Sequence, residues 1–307
     1  MSKRPLIILA GPTAVGKTAL SLELAKVLGG EIISADSMQV YRRMDIGTAK
    51  IRPEEMQEIP HHLIDVCEPT EEWNVMRFVK EASLLIEEIC QRGHVPILTG
   101  GTGFYIHALA YGAEFSEEET NSGLRRELEQ LPSEELHVRL QALDPVSAEL
   151  IHMNNRKRVI RALEYVLDTG EPISSLNQRL KKKESPYDLC YLVLDMPRER
   201  LYERIDRRVD LMMSTGLVEE VRGLREEGCH KDMVSMKGLG YKEILAYLEG
   251  ECALEEAVTI LKRDTRHFAK RQLTWWRGED DAVILLKEPE ETLVERALQE
   301  IRIRCKI

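Results

Sequence analysis

The feature that most constrains the fold of this chain is a glycine-rich loop near its N-terminus, Gly11-Pro12-Thr13-Ala14-Val15-Gly16-Lys17-Thr18. It matches the full phosphate-binding loop pattern and directly follows a short apolar run at residues 6–10. Apolar side chains at helical spacing follow at residues 19–28, and a glycine pair ends that pattern. The N–H groups of such a loop surround phosphates, and its lysine adds positive charge. The sequence therefore predicts a strand, a loop and a helix that bind a phosphorylated ligand.

Further apolar runs rich in β-branched residues predict a parallel sheet around this loop. They lie at residues 6–10, 31–34, 62–66, 95–99, 189–195 and 282–286. Helical patterns separate most of these runs, for example at residues 74–92, which Gly93 ends. This alternation is typical of a doubly wound α/β sheet with helices on its faces. We therefore predict a P-loop NTPase-like α/β core, in which a parallel sheet is wrapped by helices.

The segment between Gly112 and Pro186 lacks the strand pattern and is charged and helical instead. Its helical patterns lie at residues 124–130, 133–143, 145–151 and 154–168. Strand-like runs resume after it, so the core is expected to be discontinuous. We predict three parts: residues 1–113 as the first part of the α/β core, 114–186 as an all-helical insertion domain, and 187–307 as the second part of the core with basic helices.

Composition excludes several classes of protein. With 43% hydrophobic and 31% charged residues, the chain resembles a globular enzyme, and no apolar run approaches the length of a signal peptide or a membrane span. A cytoplasmic location is therefore expected. The six cysteines form no C-x-x-C pair, which predicts isolated thiols and neither a zinc site nor disulfides. The net charge of −10 does not exclude nucleic acid, because the basic residues are clustered.

Two segments that directly follow predicted strands are candidates for ligand contact, since ligands of open α/β sheets gather at this edge. Asp36 follows residues 31–34. A phosphorylated ligand would repel a carboxylate at this place unless the carboxylate has a role, such as holding Mg²⁺ through water or accepting a proton. The alternative that Asp36 only caps a turn or helix stays open. The turn Gly100-Gly101-Thr102-Gly103 follows residues 95–99 and either approaches a ligand closely or is simply tight.

Basic residues cluster at 156–161, 198–208 and 262–277. The last cluster has a single acid, Asp264, and three interleaved aromatic residues, which favours contact with a nucleic-acid backbone. Its Trp275 and Trp276 are expected to be core anchors more than base-stacking platforms. In residues 198–208, arginines at spacings of three and four suit phosphate contact, but the acids between them equally suit a solvated face with ion pairs.

These motifs together resemble the tRNA dimethylallyltransferases, also called tRNA isopentenyltransferases, in their compact bacterial form. The similar blocks lie at residues 11–18, 33–41, 61–65, 100–105, 155–164, around Arg204 and Arg208, and at 238–243 and 265–277. Only residues 114–135 and the C-terminal residues lack a recognisable block. The order of the blocks along the chain carries the resemblance, since beyond the phosphate loop no single block is decisive.

The resemblance implies a reaction and its partners. A dimethylallyl group would pass from dimethylallyl diphosphate to N6 of the adenine 3′-adjacent to the anticodon in tRNA, and diphosphate would be released. Mg²⁺ is the implied cofactor, and the insertion domain is expected to clamp the anticodon stem-loop. Neither a membrane nor an obligate protein partner is expected, and the protein is expected to act as a monomer.

The resemblance also implies roles for individual residues. Asp36 is the candidate general base, with Lys17, Thr18 and Arg208 as further catalytic residues, and Thr18 is the expected Mg²⁺ ligand. The residues implied to bind diphosphate are Gly11, Pro12, Thr13, Ala14, Val15, Gly16, Lys17 and Thr18. Those implied to bind tRNA are Asp36, Ser37, Met38, Gln39, Thr102, Arg125, Lys157, Arg158, Val159, Ile160 and Arg161.

Three other functions are compatible with parts of the sequence. An ATP-dependent small-molecule kinase would share the phosphate loop and could use Asp65 as the acidic partner of Mg²⁺, but it would not need the basic residues 262–277. A prenyltransferase acting on free adenine nucleotides would not need the helical insertion. An RNA-binding module with a degenerate site is disfavoured because Lys17, Thr18 and Asp36 are all present.

Overall fold

The computed structural model describes residues 3–112, 122–181, 184–288 and 292–305. In these residues six strands form one sheet: β1 Arg4–Ala10, β2 Gly30–Ser34, β3 His61–His62, β4 Val95–Gly100, β5 Tyr187–Asp195 and β6 Val283–Leu286. The strand order is β3-β2-β4-β1-β5-β6, and every neighbouring pair is parallel. In the register, Ile7 lies opposite Ile97 of β4 and Cys190 of β5. The predicted parallel α/β core is confirmed.

Thirteen α-helices occur in the described residues. Their bounds are α1 Lys17–Leu28, α2 Val75–Gln91, α3 Gly103–Tyr111, α4 Ser122–Gln130, α5 Ser133–Leu143, α6 Pro145–Leu150, α7 Arg156–Thr169, α8 Ile173–Lys181, α9 Arg198–Ser214, α10 Leu217–Glu226, α11 Tyr241–Leu248, α12 Leu254–Trp276 and α13 Leu293–Arg304. The helix predicted at residues 74–92 is confirmed as α2, where Asn74 caps the helix by accepting the Arg77 N–H. Helices α3, α8, α11 and α13 were not predicted.

The predicted strand at residues 62–66 is wrong. Only His61 and His62 pair with β2, after which Leu63 and Asp65 adopt left-handed backbone conformations with φ of 60° and 54°. Such conformations cannot continue an extended strand. Leu63 still packs into the core, so its apolar character reflects burial in a turn. A short apolar run does not by itself distinguish these two structures.

Strand β1 lies at the centre of the core. Its residues Leu6–Ala10 are fully buried, as expected of a parallel strand covered on both faces. Ile7 and Leu9 belong to one apolar cluster with residues of α1 and α13, while α2 packs against β1, β2 and β4. The sheet thereby fixes the positions of the loops that follow its central strands.

Two glycines allow the backbone to pass closely at the carboxyl edge of the sheet. Gly11 has a φ of +147°, and a Cβ there would lie 2.5 Å from the Leu194 carbonyl oxygen. A Cβ on Gly100 would lie 2.3 Å from the carbonyl oxygen of Ala35. Neither position has room for a side chain. The loops after β1 and β4 therefore lie directly against the ends of neighbouring strands.

The chain divides into two compact units, Met1–Ala110 with Ser185–Ile307, and Tyr111–Glu184. The second unit contains α4 to α8 around a small core of its own. The start of the predicted insertion domain, residues 114–186, lies outside the described residues. Its assignment as a tRNA clamp stays a prediction.

A buried carboxylate, Asp144, holds the starts of two helices in the second unit. It accepts hydrogen bonds from Ser147 N at 3.1 Å and Oγ at 2.7 Å at the start of α6. At the start of α8 it accepts from Ser174 N at 3.0 Å and Oγ at 2.7 Å. Burial opposes the charge, but these hydrogen bonds outweigh it and lower the pKa of Asp144. One side chain thus caps two helices.

The substitution Asp144→Ala is expected to destabilise the second unit by about 2–4 kcal/mol, since two caps are lost and two serine hydroxyls lose a partner. Hydrogen exchange should show weaker protection in α6 and α8 while the sheet keeps its protection. Asp168→Ala, at an exposed position on α7, is the matched control. Equal protection in the Asp144→Ala and Asp168→Ala proteins would contradict the prediction.

Candidate active site

A cavity of about 690 Å³ lies where the carboxyl ends of the central strands meet. Its wall is built mainly from the loops that follow β1, β2 and β4 and from parts of α9 and α12, and residues 234–242 add a further part. This is the edge at which open α/β sheets bind ligands. The fold therefore brings the phosphate loop, Asp36 and the second glycine turn to one cavity.

The phosphate loop forms one wall of this cavity. Five of its eight residues line the cavity: Thr13, Ala14, Gly16, Lys17 and Thr18. The other three lie behind the wall, where Val15 is fully buried in the apolar core. Gly16 is the N-cap residue of helix α1, with a φ of 111°, and the helix begins at Lys17. The helix N-terminus therefore faces the cavity, which favours an anionic ligand.

The Lys17 ammonium is held over the loop by two backbone carbonyls. Its Nζ donates to the carbonyl oxygen of Gly11 at 2.9 Å and to that of Pro12 at 2.8 Å. Burial lowers its pKa to about 7, the nearby Arg208 adds to the shift, and Asp36 opposes it. A bound phosphate group would supply the negative charge that this site lacks.

Asp36 closes a turn and also lines the cavity. Its Oδ1 accepts the N–H of Met38 at 2.8 Å and of Gln39 at 3.3 Å. In the described part of the chain, no hydrogen bond reaches its Oδ2. The charge of Asp36 acts on both Lys17 and Arg208. The carboxylate therefore has a structural partner on one oxygen and leaves the other for a ligand.

Thr102 joins the Asp36 turn to the second glycine turn. Its Oγ1 accepts the Ser37 N–H at 3.2 Å, and its own N–H donates to the Ala35 carbonyl at 3.3 Å. The predicted tRNA-binding residues of the first unit thus lie together on one wall. They comprise Asp36, Ser37, Met38, Gln39 and Thr102.

The charges on the cavity wall are mostly positive. Among the described residues that line it, Asp36 is the only acid, and the cations are Lys17, Arg204, Arg208, Lys237, Lys242 and Arg271. Burial lowers the pKa of Arg208; Asp36 opposes this shift and Arg204 adds to it. A guanidinium keeps its proton at neutral pH, so Arg208 stays a cation on this wall. The wall is suited to a ligand with several negative charges.

Arg204 and Arg208 lie on α9 and face the loops beside the cavity. Arg204 Nε donates to the carbonyl oxygen of Ala14 at 2.7 Å, and Arg208 Nη2 donates to that of Thr48 at 3.3 Å. Acids of the same helix point elsewhere, as in the Asp206 pair with Arg266 of α12 at 2.6 Å. Helix α9 therefore combines both predicted possibilities, an arginine row towards the site and ion pairs beside it.

Glu220 on α10 is a residue that the sequence analysis missed. Its carboxylate accepts the N–H groups of Asp45, Ile46 and Gly47 at 2.9, 2.7 and 3.0 Å. It also accepts the Tyr241 hydroxyl at 2.6 Å. These bonds fix the loop at residues 45–49, which lies against Arg208. No local pattern signals this role, because Glu220 lies more than 170 residues in sequence from the three N–H groups that it binds.

Gln272 on α12 was missed as well. Its Oε1 accepts the Thr13 N–H at 2.9 Å, and its Nε2 donates to the carbonyl oxygen of Gly101 at 2.8 Å. The side chain thus touches both glycine-containing loops of the site. It lies inside the block at residues 262–277, between basic residues. The polar residue between them carries the contact to the site.

The two tryptophans of α12 differ in their surroundings. Trp276 is 1% exposed and meets the Tyr191 ring edge-on at 6.1 Å, so it is the core anchor that was predicted. Trp275 is 36% exposed and lies against Gly103, where a Cβ would come within 2.5 Å of its ring. The core role thus holds for Trp276 and only in part for Trp275.

The remaining predicted tRNA-binding residues lie in the second unit. Arg125 pairs with Glu164 and with Glu129, each at 3.2 Å. On α7 the side chains of Val159 and Ile160 pack into the core of this unit, while its basic neighbours Lys157, Arg158 and Arg161 are exposed. An RNA would meet these three cations rather than the two apolar side chains.

Asp65, the acid that a kinase could use beside Mg²⁺, does not line the cavity. Its Oδ1 accepts a hydrogen bond from Lys50 Nζ at 2.6 Å. The turn described above, with Leu63 and Asp65 in left-handed conformations, takes this carboxylate away from the phosphate loop wall. The acidic group beside the phosphate loop is therefore Asp36.

A family model described as IPP transferase matches residues 39–279. The chain belongs to this family. A relative named tRNA dimethylallyltransferase, from Lachnoclostridium phytofermentans, is 58% identical over 289 residues, which cover 93% of this chain and 92% of the relative. The predicted resemblance is confirmed.

Solved structures of similar proteins share the fold. The full-length tRNA isopentenylpyrophosphate transferase from Bacillus halodurans gives a TM-score of 0.76 at 42% identity, with 98% of each chain covered. A eukaryotic dimethylallyltransferase acting on tRNA gives a TM-score of 0.83 at 30% identity. The match covers 98% of the present chain and 79% of the eukaryotic chain. Over nearly its whole length, this family member therefore has the fold of these proteins.

Proposed function

We propose that this chain transfers a dimethylallyl group from dimethylallyl diphosphate to N6 of the adenine 3′-adjacent to the anticodon in tRNA, and releases diphosphate. The single observation that carries the proposal is the cavity wall, which sets one carboxylate, Asp36, against a phosphate loop and a group of cations. Membership of the IPP transferase family supports the same reaction.

The phosphate loop and the arginines of α9 would bind the diphosphate. The N–H groups at the start of α1 and the Lys17 ammonium are in place for its oxygens. Arg208 adds a cation that is already half-buried and therefore loses less hydration than an exposed one when it meets the leaving group. These groups stabilise the negative charge that grows on diphosphate as the carbon–oxygen bond breaks.

The site fits Mg²⁺ as the cofactor. The described ranges hold no cluster of three acidic, histidine or cysteine side chains that would bind a metal by themselves. Thr18 offers an exposed hydroxyl on the cavity wall. Mg²⁺ binds through a few such oxygens together with phosphate oxygens of the substrate. When bound, Mg²⁺ would neutralise part of the diphosphate charge.

Asp36 would act as the general base. The amine N6 attacks C1 of the dimethylallyl group, the N6–C1 bond forms, and the bond from C1 to the diphosphate oxygen breaks. The proton that N6 loses passes to the free Oδ2 of Asp36, while Oδ1 stays bonded to the turn. Because the adenine amine is a weak nucleophile, removal of this proton supplies much of the rate. An adenine inside a stem-loop must leave its stack to reach this carboxylate.

One experiment distinguishes the candidate functions. The protein is incubated with Mg²⁺, labelled dimethylallyl diphosphate, and either a tRNA anticodon stem-loop or AMP, and the labelled acceptor is identified. Label on the stem-loop alone is the expected result. Label on AMP would favour a nucleotide prenyltransferase, loss of the γ-phosphate from added ATP would favour a kinase, and RNA binding without transfer would indicate a degenerate enzyme.

The exposed cations of α7 would bind the phosphate backbone of the stem-loop. Removing both Lys157 and Arg158 by alanine substitution is expected to weaken tRNA binding and to reduce the slope of log affinity against log salt by about 1 to 2. Turnover at saturating tRNA should stay near that of the wild type. Arg139→Ala removes an exposed cation from α5 of the same unit and is the control. An unchanged salt slope would exclude these two contacts.

The reaction is expected to take place in the cytoplasm, where tRNA is available, with the protein as a monomer. No helix in the described ranges has the length and apolar character needed to span a bilayer. Sedimentation of the protein with and without an anticodon stem-loop would measure the expected one-to-one complex.

A further inference from the structure

Gln272 bridges the two loops that meet at the cavity. The side chain is 6% exposed and lines the cavity. As described above, it accepts the Thr13 N–H with Oε1 and donates to the Gly101 carbonyl with Nε2. The first contact lies on the phosphate loop, and the second lies one residue before Thr102. A single amide thus joins the diphosphate side of the site to the acceptor side.

This bridge has little freedom. A Cβ on Gly101 would lie 2.3 Å from Gln272 Nε2, so the amide is packed directly against the glycine turn. Its amide carries the acceptor and the donor on separate atoms, Oε1 and Nε2, and both are in use. Ala269 of the same helix belongs to the apolar core cluster and the partly buried Leu273 packs against it, which anchors α12 beside the bridge. Packing therefore fixes the position of Gln272, and its two hydrogen bonds in turn fix the positions of the loops.

The bridge also connects these loops to the rest of α12. Helix residues Thr265, Phe268 and Arg271 line the same cavity. The Thr13 and Gly101 backbones lie 259 and 171 residues from Gln272 in sequence. Their spacing depends on side-chain contacts such as this one, because no short chain segment links the loops to the helix.

We infer that Gln272 is a positioning residue, which fixes the distance between the phosphate loop and the wall formed by Asp36 and Thr102. The inference rests on the proposed function, in which diphosphate binds at the phosphate loop and the adenine binds at the wall formed by Asp36 and Thr102. Gln272 touches no reacting atom. It sets the separation between the carbon that is attacked and the carboxylate that takes the proton, and a shift of about 1 Å in such a geometry costs roughly 10²-fold in rate.

The test uses Gln272→Met, which keeps the length and volume of the side chain but forms neither hydrogen bond. Gln91→Leu, at the exposed end of α2, is the matched control. Single-turnover transfer, KM for the stem-loop and affinity for pyrophosphate are measured, with circular dichroism as a check on folding. The expected result is a rate about 10- to 100-fold lower than wild type, with KM for the stem-loop within about threefold.

A double-mutant cycle with Asp36→Asn separates positioning from general destabilisation. If Gln272 acts through the placement of Asp36, its loss costs much less in the Asp36→Asn background than in the wild type. An equal cost in both backgrounds, or a folded Gln272→Met protein with the wild-type rate, would overturn the inference. Should Gln272→Met fail to fold, Gln272→Glu decides. This variant keeps an acceptor for Thr13 and loses the donor to Gly101, so a wild-type rate overturns the inference and a reduced rate supports it.

The proposed function and this inference fail in different ways. Absence of transfer by the wild type would refute the function. Pyrophosphate affinity does not depend on transfer, and a drop of about threefold or more in Gln272→Met is expected because the Thr13 end of the phosphate loop loses its support. Transfer by the wild type together with unchanged rate and affinity in the variant would leave the function intact and refute the bridge.

Discussion

The substitution Asp36→Asn is expected to lower the rate of single-turnover prenyl transfer by about 10²–10⁴-fold. An amide cannot accept the proton from N6, although it has nearly the shape of the carboxylate. Its oxygen still accepts the N–H groups of Met38 and Gln39, so the turn should persist. The loss is therefore expected in the rate of the chemical step, with little change in the affinity for dimethylallyl diphosphate.

Rapid-quench measurement with labelled dimethylallyl diphosphate and an excess of enzyme checks this prediction. The control is Asp65→Asn, which also removes one carboxylate but at a site that does not line the cavity. We expect its rate to stay within about threefold of the wild type, since the group is remote from the reacting atoms. Asp36→Asn with an unchanged single-turnover rate would show that Asp36 serves the turn alone and that another group accepts the proton.

The fold was largely predictable because its signals are local. Strand β1, the phosphate loop and α1 follow one another in sequence, and each has its own pattern of apolar residues and glycine. The edge strand β3 was not predictable to the same degree. Leu63 beside it is buried in a turn, and a buried apolar residue gives the same sequence pattern whether the backbone is extended or turned.

The site was predictable where its residues directly follow strands. Lys17, Asp36 and Thr102 could be expected in one place because parallel strands end at the same edge. Gln272 and Glu220 could not, since each acts through hydrogen bonds to loops that are distant in sequence. A lone glutamine or glutamate on a helix carries no pattern, and only the packing of α10 and α12 gives these side chains their partners.

Lys17 is the second position at which a large effect is expected. Lys17→Met should lower kcat/KM for dimethylallyl diphosphate by about 10²–10³-fold, because a preorganised cation is lost where the leaving group gains charge. The methionine keeps the apolar stem of the side chain in place. Lys17→Arg restores the charge and should recover part of the activity, limited by the space beside the Gly11 and Pro12 carbonyls. Equal activity in Lys17→Met and the wild type would rule out this role.

The pH dependence of diphosphate binding gives a test that is independent of turnover. Burial and Arg208 hold the pKa of Lys17 near 7 in the free protein, so the ammonium loses its proton as the pH rises through this value. Bound diphosphate favours the ammonium and raises that pKa, and binding above pH 7 must therefore take up a proton. Through this group alone, the affinity for pyrophosphate is expected to fall about tenfold between pH 6 and pH 8.

The titration of the ligand itself contributes to this pH dependence, and comparison with Lys17→Arg removes it. Arginine stays charged over the whole range, so the difference between the two curves belongs to Lys17. Calorimetry in two buffers of different ionisation enthalpy counts the protons that the wild type takes up at about pH 8. Parallel curves for the two proteins, with equal proton uptake, would mean that Lys17 is charged before the ligand arrives. In that case the two carbonyls that hold Nζ already outweigh the cost of burying the charge.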